Sequence, residues 1–157
     1  MLDSLALTLC DLTQTERFAN CLSQFIAPGR IFCLSGPLGA GKSELARMMI
    51  NATCGPQDYI PSPTFTLVQP YLSDAGFEVW HMDLYRLKTA EQALALGIED
   101  AFYACCCLIE WPEKIQEFLP ADQISIDLDM GTEVGARVLA LAAPTQILDQ
   151  FKQDYFS

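Results

Sequence analysis

Eight residues in this chain are of the types and at the spacing needed to hold a phosphate: Gly36-Pro37-Leu38-Gly39-Ala40-Gly41-Lys42-Ser43. They fit the pattern GxxxxGK[ST] in full. Gly36, Gly39 and Gly41 let the backbone adopt positive φ and turn its N–H groups toward phosphate oxygens, Lys42 can reach the β and γ phosphates, and the Ser43 hydroxyl can ligate Mg²⁺. Chemistry on a nucleotide needs a second half, carboxylates that hold the metal or its waters at the ends of neighbouring strands. Two candidates are present, Asp83 in His81-Met82-Asp83-Leu84-Tyr85-Arg86 and Glu110 in Leu108-Ile109-Glu110-Trp111-Pro112. A carboxylate at the tip of a buried strand is costly without a partner, which sets these two apart from Glu99, Asp100, Asp127 and Asp129, read as solvated charges. Which of Asp83 and Glu110 orients an attacking water stays open.

The elements that must place these groups are legible in outline. Residues 30–35 form an apolar run suited to a strand buried on both sides, and residues 43–53 carry a helical pattern that ends at Cys54-Gly55-Pro56. Strand, glycine loop and helix therefore follow one another as in a βα phosphate-binding unit. Upstream, the pattern predicts a strand over 5–10 and a helix to about residue 26, capped by Asp11 or Thr13. Downstream it predicts strands over 65–71 and 77–84 joined as a hairpin, a helix over 90–96, a strand over 103–110 and a short helix over 112–119. A strand pair near 123–130 and 134–142 and a helix from Thr145 complete the reading. With 157 residues and 51% apolar composition the chain is expected to fold as one α/β domain over its whole length, 1–157, burying on the order of 70% of its unfolded surface.

Charge and cysteine content narrow the function classes. Nine Lys and Arg against twenty Asp and Glu give a net charge of −11, which argues against a protein that grips a phosphate backbone on its own, whether DNA or RNA. Seven cysteines without a CxxC pair, and a single histidine, His81, disfavour a disulfide framework and a zinc site and suit reduced, buried thiols. The amino terminus lacks a signal-peptide pattern and no stretch is long and apolar enough for a membrane span, so a cytoplasmic protein with no membrane partner is expected.

Five ordered blocks together resemble one family: the glycine loop, Ser62-Pro63-Thr64-Phe65-Thr66-Leu67-Val68, the His81 to Leu87 block, Gly97-Ile98-Glu99-Asp100, and Leu108-Ile109-Glu110-Trp111-Pro112-Glu113-Lys114. They look like the bacterial TsaE proteins, small ATPases required for threonylcarbamoylation of an adenosine in tRNA. The resemblance implies a P-loop nucleoside triphosphate hydrolase-like α/β fold, a three-layer sandwich with a mixed, mainly parallel central sheet. It also implies ATP and Mg²⁺ as cofactors, slow hydrolysis, and assembly with TsaB-type and TsaD-type proteins, so that tRNA is met only indirectly. Carried over by position, the catalytic set is Lys42, Thr64, Asp83 and Glu110, with Ser43 and Glu110 on the metal side. The nucleotide set is Thr13, Gly36, Gly39, Ala40, Gly41, Lys42, Ser43, Glu44, Trp111 and Arg137, with Thr13 and Arg137 toward the base. Ser43 stands where the family usually has Thr, and Gln69 departs from its usual Asn or Glu. Thr64 resembles the threonine of a switch-like loop. Arg86 and, less so, Arg47 are the cations available in cis for the transferring phosphoryl group, and Arg86 is equally suited to holding a strand end. A small-molecule kinase or a non-catalytic, nucleotide-gated binding module would use the same loop; the first also needs an arginine-rich lid, which the chain lacks.

Overall fold

β2 (Ile31–Ser35) occupies the middle of a seven-stranded sheet, hydrogen-bonded in parallel to β5 (Cys106–Glu110) on one side and β6 (Ile124–Met130) on the other. The computed structural model describes residues 2–57, 60–64 and 66–157. The remaining strands are β1 (Leu2–Leu9), β3 (Val68–Leu72), β4 (Glu78–Asp83) and β7 (Arg137–Pro144), and the order across the sheet is β1-β7-β6-β2-β5-β4-β3. The central four strands, β6, β2, β5 and β4, run parallel, while β7 and β1 at one edge and β3 at the other are antiparallel additions. That arrangement accounts for the continuous apolar runs of β2 and β5, since a parallel strand covered on both faces has no solvent side to leave polar.

Alternation along these two strands divides the interior into two layers. Phe32, Leu34, Cys106 and Leu108 face α1 (Leu12–Ser23), α2 (Lys42–Cys54) and α5 (Thr145–Tyr155), packing with Phe18, Leu22, Leu45, Met49 and Phe151. Ile31, Cys33, Cys107 and Ile109 face the other way, against Ile98 and Ala101 of α4 (Ile98–Ala104) and Ile115 of a 3₁₀ helix (Pro112–Phe118). Helices on both faces of a mixed sheet give the three-layer α/β sandwich that was expected.

Element boundaries differ from the expectation in four places. The helix after β1 begins where predicted, because the Asp11 carboxylate accepts the Gln14 N–H at 2.9 Å, but it ends at Ser23, and Phe25 and Ile26 continue as turns. The predicted strand over 103–110 begins only at Cys106. Tyr103 and Ala104 close α4, whose buried Ile98 and Ala101 stand three residues apart on one helical face. The predicted helix over 90–96 is a single turn, α3 (Glu91–Leu94), because Gly97 takes the left-handed conformation (φ +86°) and starts α4 afresh. The 65–71 strand begins at Val68, with Phe65 outside the described residues.

The consecutive cysteines 105–107 lie at the entry to β5, and the thiols of Cys106 and Cys107 point into opposite layers. Burial pushes the Cys33 and Cys106 thiols up to about 12 and Cys54 to about 11, and moves Cys107 upward as well. Since the thiolate is the reactive form, these residues are inert packing groups in the native chain. Brief alkylation at pH 8 followed by peptide mass spectrometry is expected to modify the exposed Cys10 and to leave Cys33, Cys106 and Cys107 intact until denaturant is added. Modification of Cys106 or Cys107 in the folded chain as fast as Cys10 would contradict this placement.

Candidate functional site

The glycine loop leaves the carboxyl end of β2 and enters α2, so the amino-terminal N–H groups of a 13-residue helix open onto the space above the sheet. Gly36 is required on two counts. Its φ is +144°, and a Cβ there would lie 2.2 Å from the Leu128 carbonyl oxygen, inside any tolerable contact. Gly41, at φ +103°, makes the turn into α2 and brings the backbone close to Arg137. Residues 38–44 line a cavity of about 290 Å³ together with Thr64, Asp83, Glu110, Trp111 and Arg137.

The two candidate carboxylates reach this cavity by strand register. Asp83 ends β4 and Glu110 ends β5; the two are paired neighbours, and Glu110 is also level with Leu34 of β2. Both sit at the carboxyl end of parallel strands, where open α/β sheets place their ligand crevices. Asp83 is 5% and Glu110 2% exposed, so each needs partners. Glu110 receives the Ser43 hydroxyl, whose Oγ lies 2.8 Å from Oε1 and 2.9 Å from Oε2, and its Oε2 is 2.6 Å from His81 Nε2. Asp83 accepts the Thr64 hydroxyl at 2.9 Å on Oδ2 and the Tyr85 N–H at 3.0 Å on Oδ1. The Thr64 hydroxyl is also 2.8 Å from that of Ser62, so Asp83 ties the Ser62-Pro63-Thr64 segment to the mouth of the site.

Lys42 is buried and turned back on its own loop, donating to the carbonyls of Gly36 and Pro37 with its Nζ 4.1 Å from the Trp111 ring centroid. Burial pushes its ammonium below the ordinary lysine range, and the carboxylates of Glu110, Glu113 and Asp83 oppose that shift. Trp111 takes the left-handed backbone conformation (φ 59°, ψ 51°), which costs a non-glycine residue about 1 kcal/mol. Its ring also meets Tyr85, with centroids 4.9 Å apart. Arg137 starts β7 and donates from Nε to the Ala40 carbonyl at 2.9 Å, joining the glycine loop to a strand 97 residues away.

Nearly all the residues singled out from the sequence converge here. Gly36 supports the loop from outside the cavity lining, through its carbonyl on Lys42. Thr13 does not line the cavity; it is exposed in the first turn of α1, four residues after Leu9, which pairs with Arg137. Arg47 donates to the Ile60 carbonyl at 3.2 Å, and neither it nor the exposed Arg86 lines the cavity. The residue that sequence reasoning passed over is His81. Its separation from Asp83 by two positions was the available signal, because alternate residues of a strand share a face.

A hydroxyl and carboxylate oxygens form a donor set suited to Mg²⁺, which prefers oxygen and keeps several waters. Among the described residues no group of three His, Cys, Asp or Glu side chains is gathered so as to hold a metal ion by itself. Among the described residues, too, no helix is long and apolar enough to cross a membrane.

Residues 9–138 match the family model described as threonylcarbamoyl adenosine biosynthesis protein TsaE. The tRNA threonylcarbamoyladenosine biosynthesis protein TsaE of Haemophilus influenzae is 43% identical over 134 residues, covering 84% of this chain and 82% of that protein. Its namesake in Rickettsia conorii is 40% identical over 122 residues, 78% of this chain and 69% of that protein. The crystal structure of Bacillus subtilis YdiB shares the fold, with a TM-score of 0.77 at 24% identity, over 99% of this chain and 96% of that one. On the family match and the identity and coverage of these relatives, the chain belongs to the TsaE family.

Proposed function

We propose that the chain binds ATP with Mg²⁺ on the glycine loop, hydrolyses it slowly, and serves in this way the formation of threonylcarbamoyladenosine in tRNA. The observation that carries the nucleotide reading is the meeting of Ser43, in the first turn of α2, with Glu110 at 2.8 Å, a hydroxyl and a carboxylate brought together from two distant segments. The tRNA reading is supported by the relatives, which bear the name tRNA threonylcarbamoyladenosine biosynthesis protein. A net charge of −11 supports indirect contact with tRNA, through TsaB-type and TsaD-type partners that would hold the nucleic acid.

The chain's own groups divide the work. The loop N–H groups and the start of α2 bind the phosphates, and Lys42, already desolvated, supplies a cation to the terminal ones. Ser43 and Glu110 hold the metal side, where Mg²⁺ when bound would neutralise charge building on the phosphoryl oxygens. Thr64, Asp83 and Glu110 are the groups proposed to orient the attacking water. Among the described residues the cavity is lined by two cations, Lys42 and Arg137, and Arg137 is spent on the Ala40 carbonyl. With so little positive charge facing the γ-phosphate position, turnover by the isolated chain is slow and a partner must raise it.

Four measurements check this reading. Glu110→Gln keeps the side-chain shape and removes the charge; its ATP hydrolysis is expected to fall by about a hundredfold or more. In a tRNA modification assay reconstituted with TsaB and TsaD proteins the same variant should fail to replace the native chain. Modification that survives the loss of hydrolysis would favour the nucleotide-gated module instead. Chelating Mg²⁺ should weaken ATP binding at least tenfold, about 1.4 kcal/mol, since the metal supplies much of the positive field in an acidic protein. Equal affinity with and without the metal would contradict the assignment. Nucleotide that draws Lys42 toward phosphate also changes what lies over the Trp111 ring, so tryptophan emission should change on adding ADP in the native chain and not in Trp111→Phe, which retains Trp80.

A further inference from the structure

His81 is fully buried on β4 and is the one histidine of the chain. Its Nε2 lies 2.6 Å from Glu110 Oε2, whereas Nδ1 is buried with no hydrogen-bond partner among the described residues. This asymmetry bears on where the ring hydrogen resides. A hydrogen on Nδ1 would be a buried donor with nothing to accept it, and Nε2 would then direct its lone pair at a carboxylate oxygen at contact distance. A hydrogen on Nε2, donated to Glu110, avoids both.

Glu110 is thereby held from two sides. The Ser43 hydroxyl reaches it from the first turn of α2, and His81 reaches it from the neighbouring strand. Of these, only the serine belongs to the metal-side donor set. An imidazole that leaves a nitrogen unsatisfied in the interior is a standing cost that a leucine of similar bulk would avoid, so its use must lie in the bond made by Nε2.

We propose that His81 is a positioning residue for the metal side of the site: its Nε2–H fixes Oε2 of Glu110, so that the carboxylate is oriented beside Ser43 before Mg²⁺-nucleotide arrives. Outer partners of this kind set the orientation of a metal-side carboxylate, and their loss costs metal affinity about 10- to 100-fold. The inference rests on the Mg²⁺-nucleotide reading above and goes beyond it by naming the group that presets the carboxylate.

The test compares the native chain with His81→Leu, which fills the space without a donor, and His81→Gln, whose side-chain amide can donate from nearly the position of Nε2. ATP affinity is measured by calorimetry with Mg²⁺ and with EDTA. His81→Leu is expected to lose about tenfold of the Mg²⁺-dependent gain while its metal-free affinity stays at the native value, and His81→Gln to recover most of the gain. A native gain retained by His81→Leu, or a glutamine no better than leucine, overturns the proposal alone. A native chain with no Mg²⁺-dependent gain overturns the metal reading itself and this proposal with it. Nitrogen NMR of the single histidine in the native chain gives a second readout that does not depend on the variants folding. A hydrogen on Nε2 is the expected result; a ring with its hydrogen on Nδ1 alone overturns the proposal.

Discussion

A glutamate at the end of a central parallel strand, 2% exposed, is the constraint around which the site is organised. Burying a carboxylate without partners is prohibitive, so the sheet, α2 and β4 must together supply them. The Ser43 hydroxyl meets it because the glycine loop turns tightly enough to start α2 directly above the strand ends. His81 meets it because β4 lies beside β5 in parallel, with His81 and Asp83 on one face. A shift of β4 by one residue would turn both side chains to the opposite layer and leave Glu110 without its second partner. The register of two strands is thus also the geometry of the site.

The same economy governs the cations. Lys42 is held by two loop carbonyls and the face of Trp111, and Arg137 by the carbonyl of Ala40, so the positive groups at the cavity have partners within the chain. A phosphate ligand would have to exchange these contacts for its own. On the proposed function this favours a modest ATPase whose performance depends on partners, and it fits an acidic protein that leaves the handling of tRNA to others. Trp111, in a backbone conformation unusual for its type and in contact with both Lys42 and Tyr85, joins the glycine loop to the turn after β4.

Much of this was readable from local pattern. The spacing of the glycine loop, its place between an apolar strand and a helix, and carboxylates at the ends of two apolar runs depend on residues near one another in the chain, and the structure has each of them in that place. The less accurate readings arose where local pattern is ambiguous. Residues 103–110 are apolar enough for a strand throughout, yet the first two belong to a helix because Ile98 and Ala101 pack on one face and Gly97 permits the turn. A glycine within a helical pattern can be a weak interior residue or a fresh start, and only its φ distinguishes them.

By itself, the sequence determined which groups are available for chemistry and the local elements that carry them, because turn geometry, helix starts and strand periodicity act over a few residues. Tertiary structure decided which of those groups meet. Ser43 and Glu110 are 67 residues apart in the chain, Arg137 and Ala40 are 97 apart, and His81 and Glu110 are 29 apart. Each contact follows from strand order and register, which are set by packing two apolar layers against one sheet and have no local signature. For that reason His81 stood in the sequence as a lone histidine, and became a partner of Glu110 only when β4 was laid against β5.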